Sequence, residues 1–215
     1  MAAIKDKKIL FDPYITVNEL ANHINIANIE ADYIFLSHGH EDHISDAEAI
    51  ASATGAKIVA NYELAMWFAG KGITNYHAMN CGGKWDFDFG RVKCVNAVHS
   101  SAMPDGAYGG NALGFIFITD EKNFYYSGDT ALTLDMQLIP MFAKNDFSIL
   151  PLGDNFTMGL EDAAIAAKML QTDTVIGIHY DTFGFIRIDH ENAIAYFKNN
   201  GLNLLLPKIG ETMEV

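Results

Sequence analysis

The sequence predicts an α+β chain built as a four-layer αββα sandwich, with two sheets face to face and helices on the outside. Three observations predict it. Short apolar runs of strand length alternate with helical stretches in both halves of the chain. The middle of the chain reads as an antiparallel meander. Half of the residues are hydrophobic, which is enough for a sizeable core. A doubly wound parallel sheet is the competing arrangement, and the central meander fits it badly.

The elements follow in order. Lys8 to Phe11 reads as a strand ending in the turn Asp12-Pro13, and Tyr33 to Leu36 as an apolar strand. Asp46 to Ala53 reads as a helix capped by Ser45 or Asp46. Lys57 to Ala60 is a short strand, and Tyr62 to Ala69 a helix stopped by Gly70 and Gly72. Trp85-Asp86-Phe87-Asp88-Phe89 alternates strictly, as a half-buried strand does. Arg91 to Val98, Leu113 to Thr119 and Asn123 to Tyr126 complete the meander, with turns at Gly90 and at Asp120 to Lys122. Thr133 to Ala143 then reads as helical, Phe147 to Leu150 as a strand and Leu160 to Leu170 as an Ala-rich helix. Thr174 to Ile178 is a buried strand, His190 to Asn199 the last helix and Leu202 to Leu206 the last strand.

The length of 215 residues suits one domain spanning 1–215. No apolar run approaches the ~20 residues needed to cross a bilayer, so no membrane partner is expected. Met1 to Lys8 has lysines but no apolar core of a secretory leader, and a cytoplasmic protein is expected. The net charge of −13 argues against nucleic acid as a partner, because phosphate binding needs a basic surface. Bound dications would reverse that sign locally, so a small-molecule substrate carrying negative charge remains within reach. Cys81 and Cys94 form no CxxC pair and are expected as free thiols.

Ser37-His38-Gly39-His40-Glu41-Asp42-His43 carries the chemistry. It follows an apolar strand, which places it at a strand end, where active-site loops are carried. Residues two apart in an extended segment share a face, so His38 and His40 reach one ion together. Gly39 between them allows a tight approach and an unusual φ. Asp42 and His43 then turn toward a second ion as the chain enters a helix. The plain alternative is a polar surface loop with solvated histidines. Histidines packed side by side repel when protonated, and a metal is the usual reason to gather them.

This HxHxDH pattern resembles the metal-binding motif of the metallo-β-lactamase superfamily. Later segments resemble the rest of that family's ligand set, each at a strand end and in the same order: His99 in Val98-His99-Ser100-Ser101, Asp129 in Ser127-Gly128-Asp129-Thr130, and His179 in Ile178-His179-Tyr180. Phe11-Asp12-Pro13-Tyr14-Ile15, Pro151 to Met158 and His179 to Phe183 look like a branch of small metal-dependent hydrolases related to the L-ascorbate-6-phosphate lactonases. Against that pattern, Ile4 to Lys8 reads as the first hairpin turn almost at once. The first strand is therefore expected to be missing or shortened, either in the fold itself or because the chain as given starts late.

The resemblance implies a hydrolase with two divalent ions, zinc first, with manganese, nickel or iron as alternatives. His38, His40 and His99 would hold the first ion and Asp42, His43 and His179 the second. Asp129 would bridge them and fix a separation of roughly 3.5–4 Å. The water between them would ionise near neutral pH and attack an ester, lactone or phosphodiester, with Asp42 orienting it or passing on its proton. Asp12 would support a ligand histidine from behind, or only form a turn. Asn155, Thr157 and Met158 would line the pocket or cap the following helix. Tyr180 would touch substrate or pack in the core. His23, His77 and His190 match no motif. The Gly-rich stretch from Ser101 to Asn111 would form a lid. A homo-oligomer is expected from the related lactonases. The alternative function is a non-catalytic metal-binding protein of the same fold. A di-iron redox protein is disfavoured because no carboxylate replaces a histidine and no flavin domain is fused. A nuclease is disfavoured by the acidic surface.

Overall fold

The computed structural model describes residues 1–215. The first sheet contains β1 (Ala2–Ile4), β2 (Lys7–Phe11), β3 (Tyr33–Phe35), β4 (Lys57–Asn61) and β5 (Tyr76–Met79), hydrogen-bonded in that order. The second contains β6 (Lys84–Phe87), β7 (Gly90–Asn96), β8 (Leu113–Ile118), β9 (Phe124–Tyr126), β10 (Phe147–Pro151), β11 (Thr174–Ile178) and β12 (Asn203–Leu205), also in sequence order across the sheet. The αββα expectation holds. The predicted meander is β6 to β9, all antiparallel, while β9 to β12 run parallel.

Side-chain alternation builds three layers of core. Ile9, Phe35 and Val59 of the first sheet meet Val92, Phe115, Phe117 and Phe124 of the second in the middle layer. Their sequence neighbours point outward. Leu10, Ile34 and Ile58 pack under α2 (Ala47–Thr54) and α3 (Tyr62–Gly70). Ile116, Tyr125 and Val175 pack under α4 (Leu160–Met169) and α5 (His190–Asn199). The run of alanines in α4 lets that helix lie close, with Ala163, Ala164, Ala166 and Ala167 all buried. Parallel strands covered on both faces read as continuous apolar runs, which is how β10 and β11 appear.

Some elements match the expectation only in part. The first strand is present but short: Ala2–Ile4 pairs antiparallel with β2, and the turn lies at Lys5-Asp6. β5 pairs parallel with β4 and had no clear sequence signal, since Tyr76, His77 and Ala78 are each only half-buried. The stretch expected as an ordinary helix is a 3-10 helix, Leu134–Met141, with Pro140 inside its last turn. Asp46 sits at the N-cap of α2, but its side chain makes no cap. It accepts instead from the backbone N–H groups of Ile15 and Thr16 and from the Thr16 hydroxyl.

Candidate metal centre

The candidate site lies at one end of the sandwich, where the chain leaves several strands. Asp12 follows β2, and His38 to His43 follow β3 and open the short helix α1 (Glu41–Ile44). His99 follows β7, Asp129 follows β9 and His179 follows β11. Beside the group Asp12/His38/His43, two sets of donor atoms converge, His38/His40/His99 and Asp42/His43/His179, the atoms of each group lying within 4.8 Å of one another. Each set takes two residues from the first sheet and one from the second. Asp129 Oδ2 lies between the sets, 3.6 Å from His99 Nε2, 3.3 Å from His43 Nε2 and 3.1 Å from His179 Nε2.

Close backbone approach makes this convergence feasible. A Cβ on Gly128, whose φ is +57°, would sit 2.5 Å from Ser37 Cβ, so only glycine brings the Asp129 loop against the histidine loop. A Cβ on Gly39 would sit 2.6 Å from Met103 Sδ and 3.3 Å from the Ala102 carbonyl oxygen. Gly39 is not in the left-handed region, so it serves close approach and not the unusual φ expected of it. Asp12 and His179 do hold positive φ, at 38° and 53°. Such conformations cost free energy and persist where the surroundings over-determine them.

Asp12 is the hub behind the cluster. Its Oδ1 accepts from the Ser37 backbone N–H at 2.7 Å. Its Oδ2 accepts from the Ser37 hydroxyl at 2.5 Å, the Tyr126 hydroxyl at 2.6 Å and His43 Nδ1 at 3.0 Å. The single Ser37 hydroxyl proton goes to Asp12, so the Ser37 oxygen accepts from Nδ1–H of His38 at 3.0 Å. Both rings thereby turn Nε2 toward the cluster. Ser37 and Tyr126 carried no sequence signal of this role, because it depends on partners 25 and 114 residues away.

The electrostatics divide the rings into two kinds. Burial holds His38, His40 and His99 below the ordinary histidine range, so they are neutral near pH 7 and have lone pairs free. Burial also opposes a charge on His43, but the carboxylates of Asp129, Asp12 and Asp42 outweigh it and hold its pKa well above the usual value. Burial opposes the ionised forms of Asp42 and Asp129. The imidazoles of His179 and His43 hold Asp42 low, and those of His43, His179 and His99 hold Asp129 low. Carboxylates therefore surround a point where positive charge is favourable.

The donors fit a metal. All are nitrogen or oxygen, and Asp129 Oδ1 and His43 Nε2 are buried with no hydrogen-bond partner. Buried polar atoms rarely stay unpaired, and a cation would satisfy both. Cys94 does not join this group. It is buried between the sheets against Met79, and burial pushes its thiol up to about 12.

The remaining candidates lie around this centre or apart from it. Asn155 is exposed in a left-handed turn and Thr157 is half-buried. Neither caps α4, whose N-cap is Gly159 without a side-chain bond. Met158 is fully buried in the layer between the second sheet and α4, so the pocket-lining role expected of it is corrected: its side chain is core. Tyr180 packs against the same layer, edge-on to the His190 ring. His23, His77 and His190 stand outside both donor sets, and His190 pairs with Asp181 at 2.6 Å.

The chain resembles known proteins along most of its length. Residues 7–180 match the model of the beta-lactamase superfamily domain. A UPF0173 metal-dependent hydrolase of Christiangramia forsetii is 54% identical over 99% of this chain and 94% of its own length. The UPF0173 metal-dependent hydrolase YtkL of Bacillus subtilis is 42% identical over 98% and 93%. Among solved structures, the metallo hydrolase Igni18 of the archaeon Ignicoccus hospitalis superposes with a TM-score of 0.88. It is 32% identical, and the match covers 98% of this chain and 91% of that one. On these matches, and with the sandwich fold to go with them, the chain belongs to the UPF0173 metal-dependent hydrolases, within the beta-lactamase superfamily.

Proposed function

We propose that this protein hydrolyses an ester, lactone or phosphodiester bond of a small molecule, using two divalent ions. His38, His40 and His99 would hold one ion and Asp42, His43 and His179 the other, with Asp129 shared. The observation that carries this reading is the position of Asp129 Oδ2, within 3.1–3.6 Å of imidazole nitrogens from both donor sets. When bound, such ions act as Lewis acids and lower the pKa of a coordinated water toward about 7.

The chain's own groups supply the rest. Asp12 and Ser37 fix the rings of His43 and His38 so that their Nε2 atoms face inward. Asp42 is only part-buried and stands 3.5 Å from both His43 and His179. It accepts the proton lost by the attacking water and delivers it to the leaving oxygen as the scissile bond breaks. The seven nitrogen and oxygen donors suit zinc first, then manganese, nickel or iron. No helix is long and apolar enough to cross a membrane. The unpaired Cys81 and Cys94 suit a reducing compartment, and we assign the cytoplasm.

Metal analysis of protein purified without supplementation tests the site: two ions per chain are expected, and fewer in His38→Ala. Unchanged content in that variant overturns the assignment. Turnover of generic esters, lactones and bis-p-nitrophenyl phosphate with metal restored tests the reaction. Full metal occupancy with no turnover would favour the non-catalytic, metal-binding reading.

A further inference from the structure

Two clefts reach the cluster, and each opens at a different donor set. The first is lined by Tyr14, Val17, Glu41, Asp42 and Phe183. Three of its five lining residues are aliphatic or aromatic, with the Tyr14 and Phe183 ring centroids 6.1 Å apart and tilted by 42°. Its only formal charges are the carboxylates of Glu41 and Asp42. The second runs past His99, Ser100, Tyr108 and Asn111. Here the groups are neutral hydrogen-bonders: the Tyr108 hydroxyl donates to Asn111 Oδ1 at 3.0 Å, and the Ser100 hydroxyl lies 3.4 Å from His40 Nε2. The chain has 14 lysines and arginines, yet neither cleft is lined by one.

A phosphate or carboxylate on a substrate arm is ordinarily met by Arg, Lys or a helix N-terminus. Neither cleft offers such a side chain. The four-residue helix α1, beside the first cleft, begins with Glu41 and Asp42, so its N-terminus is already occupied by negative charge. The Asp42 charge would be met by the ion it holds, but an anionic arm in the first cleft would still face the Glu41 carboxylate with no lysine or arginine beside it. An apolar arm would instead gain from covering Tyr14, Phe183 and Val17, the last 56% exposed.

We propose that the substrate is uncharged in both arms flanking the scissile bond, with an apolar arm seated between Tyr14 and Phe183 and a polar neutral arm along Ser100, Tyr108 and Asn111. This narrows the substrate of the hydrolase reading above and rests on it. It replaces the anionic small molecule that the sequence left within reach: the only negative charge admitted is at the scissile group itself. The first cleft selects by shape and apolar contact, the second by hydrogen bonding.

The test is a matched pair of metal-binding probes on the full, metal-loaded chain. Butyrohydroxamic acid and succinic monohydroxamic acid share a head group, and only the second has a charged arm. Calorimetry should give the butyryl probe at least about tenfold tighter binding. Phe183→Ala should weaken the butyryl probe severalfold without changing metal content, and Val17→Lys should strengthen the succinyl probe. Equal or tighter binding of the succinyl probe to the unaltered chain overturns the proposal. Turnover of p-nitrophenyl butyrate, measured alongside, separates the two readings. Tenfold selectivity with no turnover keeps the cleft assignment and removes the hydrolytic one. Turnover with no selectivity does the reverse.

Discussion

Asp12 Oδ2 accepts from His43 Nδ1 at 3.0 Å, and the same oxygen also accepts from Ser37 and Tyr126. Asp12 follows a strand of the first sheet, and Tyr126 lies in a strand of the second. One buried carboxylate therefore aims two candidate ligand rings and ties the two sheets together at the site. Loss of it should be felt in both affinity and stability.

Asp12→Asn keeps the size of the side chain but replaces one acceptor oxygen with a donor. Outer partners of ligand histidines are typically worth 10–100-fold in metal affinity, and a loss of that order is expected here. Chelator competition measures it. Affinity within a factor of two of the unaltered chain would mean that Asp12 only shapes the turn.

Tyr126→Phe removes one donor from Asp12 and leaves the ring in place. A hydrogen bond to a charged group contributes about 1.5–3 kcal/mol, and Asp12 keeps its other donors, so a loss near 1.5 kcal/mol is expected. Urea unfolding of metal-free protein reads it directly. A change below about 0.5 kcal/mol would show that this bond is not a net tie between the sheets.

Gly128→Ala should be destabilising by about 1–3 kcal/mol, since the added carbon meets Ser37 Cβ at 2.5 Å and the φ of +57° is strained for alanine. Because the clash displaces either Ser37 or Asp129, metal content should fall as well. Full metal content in a folded Gly128→Ala protein would contradict the close approach described.

The metal-free protein should be most stable near pH 6.5. Folded His38, His40 and His99 have lowered pKa values, so their contribution is present above the unfolded value of 6.5 and is lost as pH falls below it. Asp42 and Asp129, also lowered, add to the acid limb below about pH 4. His43 is raised, so its contribution is complete below 6.5 and fades as pH climbs through its folded pKa. Metal binding takes the place of the His43 proton and should abolish the alkaline limb. Melting curves across pH, with chelator and with zinc, distinguish the cases. An alkaline limb that persists at saturating zinc would contradict this account.

Much of the fold was legible because its signals are local. Strict alternation in Trp85 to Phe89 and the apolar runs at Phe147 and Thr174 mark strands without reference to the rest of the chain. The strand Ala2–Ile4 was not legible, since three residues carry no periodicity and it exists through pairing with β2. The candidate ligands stood out because His38 to His43 are contiguous and the others follow strands. The supporting groups did not. Asp46 reads as a helix cap until the Tyr14 to Thr16 loop is seen folded over it, and Met158 reads as a pocket residue until α4 is seen to cover it.

Each donor set draws on both sheets, and this has a consequence for biosynthesis. Residues 1–79 emerge first and hold His38, His40, Asp42 and His43, yet neither set is complete within them. His99 completes the first only after β7, and His179 the second only after β11. On the proposed assignment, a ribosome-bound chain would complete one metal site after His99 and the second only after His179, when most of the polypeptide has been made. Products truncated before residue 179 would therefore carry at most one of the two proposed sites.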